Sequence, residues 1–180
     1  FIQFFLGKNV EKLWAPWRMK YIKDIVELGS QECFLCEATK KSPDQSNLVV
    51  KKFSFTLVML NLFPYNSGHI LIAPFRHVNS LGLLNDSEMF EIIKTLQISE
   101  NVIRDIYKPH GMNLGMNIGK EAGAGVPDHI HFHIVPRWNG DTNFMPIIGE
   151  TKVISEAHDV CYENYKKNFF VTNKKLENTI

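Results

Sequence analysis

Histidine occupies every second position of His129-Ile-His-Phe-His-Ile-Val-Pro136, and this alternation restricts the local backbone more than any other stretch of the chain. In an extended strand, side chains two residues apart share a face. His129, His131 and His133 then look one way, and Ile130, Phe132 and Ile134 the other. A neutral imidazole carries one donor and one acceptor, and burying either without a partner costs roughly 1–3 kcal/mol. The alternation predicts a strand whose apolar face meets a core and whose histidine face stays open to a ligand.

Three chemistries suit such a row. Imidazole is a zinc ligand, but a rise of about 3.3 Å per residue separates i and i+2 by roughly 6.6 Å and i and i+4 by roughly 13 Å. Two of the rings can share an ion; all three cannot. The row can also be a set of satisfied histidines on a half-exposed sheet, or it can hold an imidazole that attacks phosphorus or carbon. The preceding segment, Asn117-Ile-Gly-Lys-Glu-Ala-Gly-Ala-Gly-Val-Pro-Asp128, favours the last. Glycines at 119, 123 and 125 free backbone N–H groups to converge on an anion directly before the histidines. Phosphate held beside a nucleophile is the chemistry this predicts.

The rest of the chain supplies the scaffold. Asn85-Asp-Ser-Glu88 has the form of a capping box, and Met89, Ile92, Ile93, Leu96, Ile103 and Ile106 follow at close to a 3.6 period until Pro109 and Gly111. Strands are expected at Phe55–Leu60, His69–Pro74 and Met112–Asn117, a loop at 38–47, and a further helix around Ile154–Lys166. The result is an α+β domain, an antiparallel sheet of about five strands with one long helix packed on it. One domain is expected over 1–180, with an N-terminal anchor at 1–30 marked by Leu13-Trp-Ala-Pro-Trp-Arg18 and an extension at 150–180. A net charge of +1 offers no field to recruit nucleic acid or an anionic membrane. No apolar run reaches the roughly 20 residues that span a bilayer. Three cysteines make no disulfide framework, so a reducing, cytoplasmic setting is expected.

Cys33-Phe-Leu-Cys36 is a separate signal. It reads as a redox pair, half of a zinc site, or coincidence; the apolar spacer and the lack of a βαβ context argue against redox chemistry. Structural zinc needs four ligands, so two would have to come from elsewhere. His69 is read as a sheet-packing residue and Cys161 as a buried small hydrophobe, while His110 and His158 have no supporting context. Trp138 and Phe144 are candidates to stack on a base or on a neighbouring subunit.

With these motifs in view, the sequence resembles the histidine-triad (HIT) superfamily of nucleotide hydrolases and transferases, whose His-φ-His-φ-His-φ-φ signature is matched in full at 129–135. Trp14–Met19, Asn61–His69 and Gly140–Pro146 look like the bacterial diadenosine tetraphosphate phosphorylase-type branch. The resemblance implies an enzyme that cleaves dinucleoside polyphosphates at the α-phosphate through a nucleotidyl-histidine. It makes His131 the nucleophile, has His129 or its carbonyl orient that ring, and puts His133 beside the leaving group. Substrate contacts are implied at Asn61 (ribose), Asn117 and the loop residues Gly123, Gly125 and Val126. No catalytic metal is required. Structural zinc is implied at Cys33, Cys36, His77 and His129. An adenosine polyphosphate is the expected partner, and a homodimer or larger homo-oligomer the expected assembly. A nucleoside phosphoramidate hydrolase and a non-catalytic nucleotide-binding module are the alternatives; a DNA-end deadenylase is disfavoured by the charge.

Overall fold

The computed structural model describes residues 33–141 and 154–177. The anchor expected at 1–30 and Phe144 lie outside the described residues.

Strands β2 (Thr56–Leu60) and β3 (Ile70–Pro74) are buried at every position, and their sequences accordingly run apolar instead of alternating. They pair antiparallel, with Leu57 opposite Ala73 and Met59 opposite Leu71. Beyond β3 lie β5 (Phe132–Arg137) and then the edge strand β4 (Gly111–Met116); β1 (Val49–Lys52) forms the other edge. The five strands run in the order β1-β2-β3-β5-β4, antiparallel throughout, as expected.

One face of this sheet is covered by two long helices, α2 (Asp86–Tyr107) and α3 (His158–Glu177). Val58, Leu60, Ile70, Ile72 and Ile134 from the strands meet Val102 and Ile103 of α2 and Tyr162, Tyr165 and Phe169 of α3. On the other face the short helix α1 (Phe34–Lys40) covers Leu57, Met59, Leu71 and Ala73. His133, on the same face as Leu71 opposite it, lies where α1 no longer reaches.

The capping box forms as read: Asn85 Oδ1 accepts from Glu88 N–H and Glu88 Oε2 from Asn85 N–H, both at 2.9 Å. Glu88 is buried, and the Arg76 guanidinium bonded to it holds its carboxyl below the usual carboxylate range. β2, β3 and β4 fall within one residue of expectation, and larger differences lie elsewhere. Residues 38–40 belong to α1 and not to a loop, and the C-terminal helix starts four residues later than expected and runs on to Glu177. The histidine strand begins only at Phe132, because Ile130 N–H is claimed by Val78 O at 2.7 Å, outside the ladder. Of the three histidines, His133 alone sits in the sheet.

Candidate active site

The three histidines are not an open row. His129 is 0% exposed and His131 4%, and each has found a partner for one ring nitrogen. His129 donates Nε2–H to Pro74 O at 2.9 Å, which leaves the Nδ1 lone pair facing Cys33 Sγ at 3.4 Å and Cys36 Sγ at 3.5 Å. His131 donates Nδ1–H to the His129 carbonyl at 2.9 Å, so its lone pair is on Nε2, which no described residue engages. It is thus the His129 carbonyl, not its ring, that orients His131.

His133 is fixed by a chain of hydrogen bonds that starts at the backbone. Tyr65 N–H can only donate, so His69 Nδ1, 2.9 Å away, accepts. Neutral His69 then carries its proton on Nε2 and gives it to His133 Nδ1 at 2.9 Å. His133 is left with its proton on Nε2, a buried atom with no partner among the described residues. An orphaned buried donor next to a free imidazole lone pair marks a place for an acceptor atom of a ligand. The Tyr65 ring lies nearly parallel to His133, 5.7 Å between centroids at 15°, and closes one side. His69 is therefore part of the site, not the packing residue expected. Local sequence could not show this, since it depends on β3 pairing with β5, 62 residues away at Leu71 and His133.

Burial is the leading cause that lowers the basicity of all three rings; a neighbouring imidazole adds to it for His129 and His133, and His133 falls to about 4 from an ordinary 6.5. All three are neutral at pH 7, as a nucleophile and a neutral donor need to be. Stability follows with a definite sign. Between about 6.5 and about 4 the unfolded chain binds a proton that folded His133 refuses, so the contribution is complete above 6.5 and is lost as pH falls. Thermal unfolding followed by circular dichroism is expected to show a midpoint that drops as pH is lowered from 7 to 4.5, and to drop less steeply in His133→Asn. A midpoint that rises on acidification would contradict this.

Met116 pairs with Phe132, so Asn117 comes next to His131 in strand order, and its Nδ2 reaches Gly123 O at 3.4 Å. Gly119 and Gly123 have φ of +84° and +85°, which glycine adopts without strain. The Gly123 and Ala124 amides close turns on Lys120 O and Gly119 O, whereas no described residue accepts from Gly125 or Val126 N–H. A Cβ added at Gly115, directly opposite His133, would meet nothing within 4 Å, so the space there is open. Asn61 Oδ1 accepts from Phe63 N–H at 2.9 Å, and its Nδ2 lies 3.3 Å from His69 Nδ1.

Behind His129 is a second cluster. Ligand atoms of Cys33, Cys36, His77 and His129 all lie within 4.8 Å of one another, a set that can hold a metal ion. Cys33 occupies the N-cap position of α1 without a side-chain cap bond and Cys36 sits one turn in, so both thiols lie at the same helix end. Of the sulfur–imidazole contacts, 3.4 and 3.5 Å fall within the roughly 3.3–3.8 Å edges of a tetrahedron with bonds of about 2.0–2.3 Å, and 3.2 Å lies just below them. The Pro74 carbonyl on His129 Nε2–H is the outer partner that a metal-binding histidine requires. The donor set fits a closed structural site.

The sequence profile of the HIT domain matches residues 42–140. AP-4-A phosphorylase of Mycobacterium tuberculosis is 39% identical over 154 residues, covering 82% of this chain and 78% of the relative. Bis(5'-adenosyl)-triphosphatase of Saccharomyces cerevisiae is 40% identical over 91 residues, 50% of this chain and 44% of the relative. Among solved structures, a Zn-bound histidine triad family protein from Mycobacterium smegmatis superposes with a TM-score of 0.63 at 21% identity, covering 82% of this chain and 99% of that one. No helix among the described residues is long and apolar enough to cross a membrane.

Proposed function

The chain belongs to the HIT-domain family, and from that premise we propose that it is an enzyme cleaving dinucleoside polyphosphates, diadenosine tetraphosphate foremost, at the α-phosphate. The observation that carries this reading is the pair of oriented rings: His131 with a free Nε2 lone pair, and His133 with an unpartnered Nε2–H.

His131 Nε2 attacks the α-phosphorus, a P–N bond forms, and the bridging P–O bond breaks with its electrons passing to the departing polyphosphate oxygen. His131 keeps its Nδ1 proton, so the ring of the adduct is an imidazolium balanced by the phosphoryl charge, and it stays hydrogen-bonded to the His129 carbonyl. His133 donates a hydrogen bond to the leaving oxygen without losing its proton, because its Nδ1 already accepts from His69. Gly125 and Val126 N–H and Asn117 hold the phosphoryl oxygens, with Gly123 shaping that loop, and Asn61 meets the ribose. Inorganic phosphate or water then attacks the adduct on phosphorus and releases His131.

We read Cys33, Cys36, His77 and His129 as a structural zinc site; when bound, zinc would supply a rigid cross-link between α1 and the segment before β5. The cleavage itself needs no catalytic metal. The chain is read as one domain over 1–180 and as cytoplasmic, supported by its three unpaired cysteines. It is read as a homodimer or larger, supported by the open edge of β4 with Leu114 half exposed.

Labelled diadenosine tetraphosphate in phosphate buffer tests the function. ADP plus ATP is expected from phosphorolysis, or AMP plus ATP from hydrolysis; absence of both products overturns the reading.

A further inference from the structure

The loop from Asn61 to His69 carries a functional side chain at each end, and both ends are bonded by a segment beyond the HIT core, whose profile stops at residue 140. His158, the first residue of α3, donates Nε2–H to the Asn61 carbonyl at 3.1 Å. Seven residues on, Tyr165 is 0% exposed and donates its hydroxyl proton to Gly68 O at 2.6 Å. Gly68 has φ of +74°, and a Cβ there would lie 2.8 Å from Tyr107 Cε2, so the loop rests directly on that ring. Tyr107 is held in turn by its hydroxyl proton on Glu156 Oε2 at 2.6 Å. Between these two grips a narrow crevice with room for about one water separates Pro64 and Ser67 from Ile154 and Glu156. The middle of the loop is held from the other side, where Asn66 donates Nδ2–H to Pro136 O at 3.1 Å and to Asp141 Oδ2 at 2.8 Å, and the bonds from His158 and Tyr165 hold its ends.

We propose that His158 and Tyr165 are positioning residues, a clamp from the C-terminal segment that fixes Asn61 for the nucleoside at one end and His69, hence His133, at the other. The clamp rests on the function proposed above. It explains why a polar contact as specific as His158 to a loop carbonyl lies outside the matched core. It also predicts two different kinetic signatures from two residues of one helix, because the ends of the loop serve different steps.

Steady-state kinetics on diadenosine tetraphosphate with the full chain tests this. Loss of one positioning hydrogen bond should be read as about a three- to tenfold effect. His158→Ala is expected to raise KM by that factor and leave kcat within about twofold, and His158→Gln, which can still donate, to restore KM. Tyr165→Phe is expected to lower kcat with little change in KM. Wild-type constants in both variants, or a His158→Gln enzyme as impaired as His158→Ala, overturn the clamp. Amide exchange at Tyr65, whose N–H is bound to His69, reads loop order without turnover and is expected to quicken in both variants. If wild-type protein cleaves no dinucleotide, the proposed function fails, and unchanged Tyr65 exchange in the variants overturns the clamp separately.

Discussion

His131→Ala is expected to lower kcat on diadenosine tetraphosphate by about 10⁴-fold or more, the scale of removing a covalent nucleophile. The size of the effect follows from the absence of a substitute among the neighbouring rings. His133 has its Nδ1 lone pair committed to His69, and its Nε2 carries the proton, so it has no electron pair to offer phosphorus. The one lone pair of His129 faces two thiols on the far side of its own ring. Binding should persist, since the contacts proposed to ribose and phosphate come from other residues; the Kd for AMP is expected to stay within about threefold of wild type. Two further observations separate loss of the nucleophile from loss of structure. Base-quenched mass spectrometry of wild-type enzyme should catch a nucleotidyl adduct on the peptide containing His131, and His131→Gly should regain part of its activity with added imidazole. Turnover within tenfold of wild type in His131→Ala would mean that water attacks directly and the covalent route is wrong.

What the sequence made legible divides by range. The cap at Asn85 and Glu88 is a bond between residues three apart, and it appears in the structure as read. β2 and β3 were visible as short apolar runs bounded by turn formers; each starts one residue later than expected and ends at the expected residue. The start of β5 was misplaced because strand alternation describes side chains, whereas the ladder depends on who claims the backbone; Val78, 52 residues earlier, claims Ile130. For the same reason three histidines that look equivalent in sequence are bonded to three different things: a strand-end carbonyl, a neighbouring carbonyl and a fourth histidine. His69 and His158 gave no local signal at all. Each matters through a hydrogen-bond partner brought close by sheet pairing or helix packing, which one-dimensional patterns do not encode.

Removal of the metal from the Cys33, Cys36, His77 and His129 cluster is expected to be the largest stability effect available in this chain. A ligand present at about a thousandfold over its Kd stabilises the folded state by roughly 4 kcal/mol, and for a chain of this size each kcal/mol shifts the midpoint by roughly 2–4 °C. Chelation is therefore expected to lower the unfolding midpoint by about 10 °C, and Cys36→Ser to do the same without chelator. Elemental analysis should find one zinc per wild-type chain and a large deficit in the variant. The loss is expected to propagate to catalysis by a defined route. Without an ion the cluster leaves two thiols against two imidazoles, and burial together with Cys33 already pushes the Cys36 thiol up. The pocket would relax by letting α1 or His129 move, and the carbonyl that His129 presents is the one holding the His131 ring. Activity should then fall with the metal although no step of the cleavage uses it, and His77→Ala should share the defect from a residue with no assigned contact to substrate. A wild-type protein that purifies without zinc and keeps its midpoint in chelator would reduce the cluster to four packed side chains, with the orientation of His131 resting on Pro74 and its hydrogen bond to His129 alone.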